Sequence, residues 1–137
     1  MAEAVFAHKV RAAGLEDKID GDSAATGHWN LGNTPHRGTR AVLEREGIDY
    51  THVARLITLR DLEAFDYILT MDDQNLADVR AMGPARAVIR PFLEYAPDCG
   101  ETEVPDPYYK GGFEGVYDLI ETAADGLLQA IRQEHKL

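Results

Sequence analysis

Residues 66–72 read DYILTMD, a short apolar run closed at each end by an acid. The run does not alternate, so both faces of any strand it forms are apolar. It is also too short to read as a helix. Such a strand is buried on two sides, as in a parallel sheet covered by helices. The flanks agree. DDQNLADVRAMG (72–83) follows with acids in its first turn and Gly83 after its last, as a helix has. ARAVIRPFL (85–93) then offers another strand. Just before the run, TLRDLEAF (58–65) places Asp61 three residues after Thr58, the spacing of a capping box that opens a helix.

Farther out, MAEAVFAHKVRAAG (1–14) sets Ala2, Phe6, Val10 and Ala13 at helical spacing, with Gly14 as the stop. KIDGDSAATG (18–27) holds a short strand candidate at 19–23 that runs into a small-residue turn. TRAVLEREG (39–47) is a short helix ended by Gly47. From Phe113 to His135, one long helix aligns Val116, Leu119, Ile120, Ala123, Leu127 and Ile131 on one face. The order α-β-α-α-β-α-β-α predicts an α/β domain, a three-layer parallel sheet with helices on both faces, spanning residues 1–137 as a single domain. An α/β domain of this kind begins with a strand, whereas this chain begins with a helix. Three strands make a thin sheet for its length.

Composition narrows the function. The 137 residues carry a net charge of −10, the wrong sign for a nucleic-acid or anionic-membrane partner. The single cysteine, Cys99, excludes an intrachain disulfide. No apolar stretch is long enough to span a bilayer and no signal-peptide pattern is present, so the cytoplasm is the default location. His8, His28, His36 and His135 lack metal-ligand spacing, and no motif calls for a metal or cofactor.

Candidate chemistry centres on EVPDPYYKGG (103–112). Pro105 and Pro107 flank Asp106, and the residue before a proline is itself restricted. An Asp-Pro step often does no more than start a turn. A rigid loop that holds one carboxyl beside Tyr108 and Tyr109 also suits a general acid. DSAATGHW (22–29) follows a strand candidate and so falls at the carboxyl edge of the sheet, where α/β proteins bind ligands. Ser23 can donate a hydrogen bond there and Trp29 can flank a flat ring, although each taken singly reads as a turn serine or a half-buried tryptophan. His52, in THVAR, either orients a neighbouring loop or is an ordinary satisfied histidine. Cys99 is a poor nucleophile for a phosphate-cradling loop. Pro105 stands six positions on where an Arg is needed, and CGETEVP (99–105) has the wrong charge for a thiolate.

MAEAVF, DSAATGHWNLG, HVARLIT, FDYILTMDDQNL, VPDPYY and FEGVYDLIE stand in this order along nearly the whole chain. Together they resemble the low molecular weight protein tyrosine phosphatases. The resemblance implies that family's phosphotyrosine phosphatase I-like fold and hydrolysis of phosphotyrosine or small aryl phosphates through a phosphocysteine. It makes Asp106 the general acid, which protonates the leaving phenolic oxygen and then activates water. Trp29, Tyr108 and Tyr109 become the walls of the cleft; Ser23, His52 and Asp72 brace the phosphate loop. Where the family has Pro-Asp-Pro-Arg, this chain has Pro35, His36, Arg37 and Gly38, and no role carries over.

The family's first, central strand and its Cys-x5-Arg loop have no counterpart in these residues. No nucleophile is therefore assigned, and the 137 residues alone are expected to lack turnover. The expected explanation is a start placed downstream of the native one. The alternatives are a noncatalytic binding module completed by a partner strand or as a homodimer, and a nonfunctional remnant. Thioredoxin-coupled arsenate reductases share the fold but need further cysteines.

Overall fold

The structure is a computed structural model that describes residues 1–26, 37–48, 55–105 and 112–137. Helix α1 (Ala2–Ala12) opens the chain. It ends in a Schellman motif: the Leu15 N–H reaches the Val10 carbonyl and the Gly14 N–H that of Arg11, each at 3.0 Å. Gly14 takes φ +72°, which the motif requires and which residues with a Cβ resist. The buried stripe of α1 runs through Ala4, Val5 and Val10, rotated from the anticipated Ala2–Phe6–Val10–Ala13 line. Ala2 and Phe6 only border the core. Packing against the last helix selects this side, on which Ala4 is wholly buried.

Helix α2 (Arg37–Arg45) begins two residues earlier than TRAVLEREG suggested and stops at Gly47. Helix α3 (Leu59–Ala64) carries the anticipated capping box. The Asp61 N–H donates to Thr58 Oγ1 at 3.3 Å and the Thr58 N–H to Asp61 Oδ2 at 2.8 Å. Strand β1 (Tyr67–Thr70), helix α4 (Asp73–Ala81) and strand β2 (Val88–Pro91) form a parallel β-α-β unit, with Tyr67 opposite Val88 and Thr70 opposite Pro91. Pro91 has no N–H to continue the ladder. The apolar run to residue 93, read as strand, instead turns into a 3₁₀ segment (Phe92–Tyr95) that buries Phe92 and Leu93. Helix α5 (Gly112–His135) buries Val116, Tyr117, Ile120, Ala123, Ala124, Leu127, Leu128 and Ile131. Leu119, anticipated on that face, packs at its margin.

The strand anticipated at 19–23 does not form. One parallel bridge, Ala25 with Leu56, stands just beyond it. Asp20, Gly21 and Asp22 are poor strand formers, and Asp22 Oδ1 accepts the Ser23 N–H at 2.8 Å, so a local bond replaces a ladder. Among the described residues the sheet therefore has two strands in place of three.

Helices pack on both sides of it. Tyr67, Leu69 and Met71 share a face of β1 and pack against the core formed with α1, α2, the 3₁₀ segment and α5. Helix α4 lies against both strands and buries Val79. Lys9 of α1 pairs with Asp125 of α5 at 2.8 Å. Among the described residues no helix is long and apolar enough to cross a membrane.

Candidate active site

Two polar networks converge at the carboxyl end of β1. The first is built on Asp72, which leaves the strand in extended conformation and caps α4: its Oδ1 accepts the Asn75 N–H at 2.7 Å. Glu103, thirty residues on, accepts the neighbouring Asp73 N–H through Oε1 at 2.8 Å. Two of the amides that a helix leaves without internal partners are thus satisfied, one locally and one from a distant loop. The Val104 N–H donates to the Met71 carbonyl at 2.7 Å and continues the line of the strand. Residues 103–105 are thereby fastened to the end of β1, and Asp106 is the next residue along the chain. An open cleft of about 400 Å³ is lined here by Asp72, Gln74, Glu101, Thr102, Glu103, Val104 and Pro105.

The second network holds the segment of Ser23. Arg55 donates Nε to Asp22 Oδ2 at 3.0 Å, and Nη1 and Nη2 to the two oxygens of Asp61 at 3.0 and 3.2 Å. The bidentate bond from Arg55, foremost, holds the Asp61 carboxyl below its ordinary pKa despite partial burial. The same bond raises that of Arg55. For Asp22, burial works upward but is outweighed by the bonds from the Ser23 amide, Glu3 and Arg55, so the carboxyl falls below its usual range. The backbone closes the same gap: the Ala25 N–H reaches the Arg55 carbonyl at 2.7 Å and the Ile57 N–H that of Ala25 at 2.9 Å.

Asn75 Nδ2 joins the two networks by donating to Thr26 Oγ1 at 3.4 Å. Ser23 and Asp72 are thereby brought to one end of the sheet. Trp29, His52, Asp106, Tyr108 and Tyr109 lie outside the described residues. Cys99 is half-buried beside the core, where Sγ contacts the carbonyl of Glu101 at 3.3 Å and its N–H at 3.4 Å. Among the described residues no group of three acids, histidines or cysteines is placed to hold a metal.

Sequence reading missed Arg55, Asp22 and Glu103. Arg55 stands inside the HVARLIT motif and Asp22 opens DSAATG, so both were within view. Their pairing spans 33 residues, a separation over which no periodicity carries information.

The family model described as low molecular weight phosphotyrosine protein phosphatase matches residues 1–137. The low molecular weight protein-tyrosine-phosphatase YfkJ of Bacillus subtilis is 44% identical over 140 residues, covering 100% of this chain and 90% of its own. The low molecular weight phosphotyrosine protein phosphatase of Schizosaccharomyces pombe is 40% identical over 136 residues, covering 96% of this chain and 87% of its own. The crystal structure of YfkJ superposes with a TM-score of 0.91 at 43% identity, covering 97% of this chain and 86% of that one. That of a protein tyrosine phosphatase from Entamoeba histolytica gives 0.89 at 31%, covering 99% and 89%. The matches run through every segment that builds the two networks, and the chain belongs to the low molecular weight phosphotyrosine protein phosphatase family.

Proposed function

We propose that the chain serves hydrolysis of aryl phosphate monoesters, phosphotyrosine in a protein above all, with Asp106 as general acid and base. The Asp106 carboxyl gives its proton to the phenolic oxygen as the thiolate of the family's nucleophilic cysteine bonds to phosphorus and the aryl P–O bond breaks. The resulting carboxylate then takes a proton from the water that attacks the phosphocysteine, which releases phosphate and restores the thiolate. Trp29, Tyr108 and Tyr109 wall the cleft and favour a flat ring; Ser23, His52 and Asp72 brace the phosphate loop. The observation that carries this reading is the family match along residues 1–137, with Pro-Asp-Pro-Tyr-Tyr standing at 105–109.

These residues supply the acid and the walls but not the nucleophile. Cys99 has no Arg six positions on, and its sulfur lies against the backbone of Glu101. In this reading no residue among these 137 is assigned as the nucleophile, and the 137 residues alone have no turnover. We place the protein in the cytoplasm.

The test is hydrolysis of para-nitrophenyl phosphate by the gene's full product and by the 137 residues alone, with an intact mass for each. Turnover by the full product, lowered about 10²- to 10⁴-fold by Asp106→Asn, supports the reading. Turnover by the 137 residues alone contradicts it. Phosphoarginine belongs in the same assay, because a structural relative at TM-score 0.88 and 29% identity is a Drosophila arginine phosphatase. A preference for phosphoarginine would contradict the role given to the aromatic walls.

A second reading is a noncatalytic module that accepts a strand from a partner or a second copy. It is favoured, among the described residues, by β1, which pairs only with β2, and by the buried Thr70 Oγ1, which has no hydrogen-bond partner there. Light scattering that shows a partner-free monomer would count against it.

A further inference from the structure

We propose that Arg55 is a positioning residue, whose guanidinium sets the Ser23 segment against the segment that follows His52. This rests on the phosphatase reading above, in which Ser23 and His52 brace the phosphate loop. The geometry is that of a three-way clamp. Nε holds Asp22, the residue before Ser23, at 3.0 Å; Nη1 and Nη2 grip Asp61 at the start of α3 at 3.0 and 3.2 Å; and Nη1 also donates to the Leu56 carbonyl at 3.1 Å.

The backbone at both ends is tied as well. The Arg55 carbonyl accepts from Ala25, two residues beyond Ser23, and Asp22 Oδ1 accepts the Ser23 amide. Ser23 is therefore bracketed by two attachments to one residue, Asp22 through the side chain and Ala25 through the main chain. In the sequence, His52 stands three residues before Arg55. Asp61 is the anchor. It is held in place by the capping box of α3, so the guanidinium is fixed at one end before it reaches Asp22.

A planar fork with donors on three nitrogens makes this clamp; a lysine ammonium keeps the charge but cannot grip two oxygens of Asp61 and one of Asp22 in the same geometry. The requirement is thus for shape as well as charge, and a salt bridge alone does not meet it. Asp61 is unsuitable as the test position because it also caps α3.

Amide hydrogen exchange and steady-state kinetics on the gene's full product test the proposal, with Arg55→Lys and Asp22→Asn beside the parent. The expected result is that the Ala25 and Ile57 amides exchange about tenfold faster in both variants while amides in the middle of α5 are unchanged. With it, kcat for para-nitrophenyl phosphate falls about 10- to 100-fold at nearly constant KM. Unchanged exchange at Ala25 and Ile57 overturns the proposal. So does a loosened bridge with parental kcat, which makes Arg55 a strut without bearing on the reaction. A parent with no aryl phosphate turnover is a failure of the phosphatase reading instead, and the exchange at Ala25 and Ile57 then decides whether Arg55 positions the segment.

Discussion

Glu103 Oε1 accepts the N–H of Asp73 at 2.8 Å, so a residue three positions before Asp106 caps the helix that follows β1. The loop is held to the sheet by what the helix end lacks. A helix start leaves several amides without internal partners, and a carboxylate there also meets the positive end of the helix dipole. Asp72 satisfies one such amide from within and Glu103 another from across the fold.

Removing either cap is predicted to cost about 1 kcal/mol of stability. The two variants differ in where the loss shows. Asp72→Ala frees the Asn75 amide within the first turn of α4. Glu103→Ala releases the loop as well, so exchange at the Val104 amide, bonded to Met71 at 2.7 Å, rises only in that variant. Thermal melts and amide exchange check both; equal exchange at Val104 in the two variants would contradict the account.

Two glycines of α5 should respond in opposite ways to alanine. A Cβ on Gly126 would lie 2.0 Å from the Tyr95 carbonyl oxygen, a backbone atom that cannot swing aside. Gly126→Ala is predicted to destabilise by about 1–3 kcal/mol or more as the 3₁₀ segment is pushed off the helix. A Cβ on Gly115 meets no atom of the described residues within 4 Å, and Gly115→Ala should stabilise by about 0.5–1 kcal/mol through helix propensity. Paired urea melts decide the signs.

The acid limb of stability should depend on Asp61. Its folded carboxyl titrates below the ordinary value, chiefly because Arg55 holds the charged form. The stability it contributes is therefore present above the unfolded value near 4 and lost as pH falls through the lowered folded value. Asp61→Asn is expected to flatten the fall in melting temperature between about pH 5 and pH 2. An unchanged slope in that window would contradict the assignment.

The alkaline limb carries the reverse sign. The Tyr67 hydroxyl donates to Glu134 at 2.5 Å, and burial foremost, with that carboxylate beside it, pushes its pKa up. The folded state thus favours the neutral phenol. That contribution is complete below the unfolded value near 10 and is lost as pH rises beyond it. Tyr67→Phe should lower stability by about 1 kcal/mol at neutral pH, and the gap to the parent should narrow above pH 10. A gap that stays constant to pH 11 would argue against it.

What the amino-acid sequence determined by itself is whatever depends on near neighbours. The stop of α1 at Gly14, the Thr58–Asp61 capping box, the start of α4 after Asp72 and the long apolar stripe of α5 all rest on residues within about a turn or two of each other, and all could be read before folding was considered. Motifs read in order also carried the family. Tertiary structure decided the rest. Whether 19–23 became a strand depended on a neighbour to pair with; Asp22 took a local bond and the side chain of Arg55 instead. Which stripe of α1 was buried depended on where α5 lay. Arg55 and Glu103 drew their roles from partners 33 and 30 residues away, and a hydrogen bond across that distance is set by how the layers pack, which no local pattern encodes.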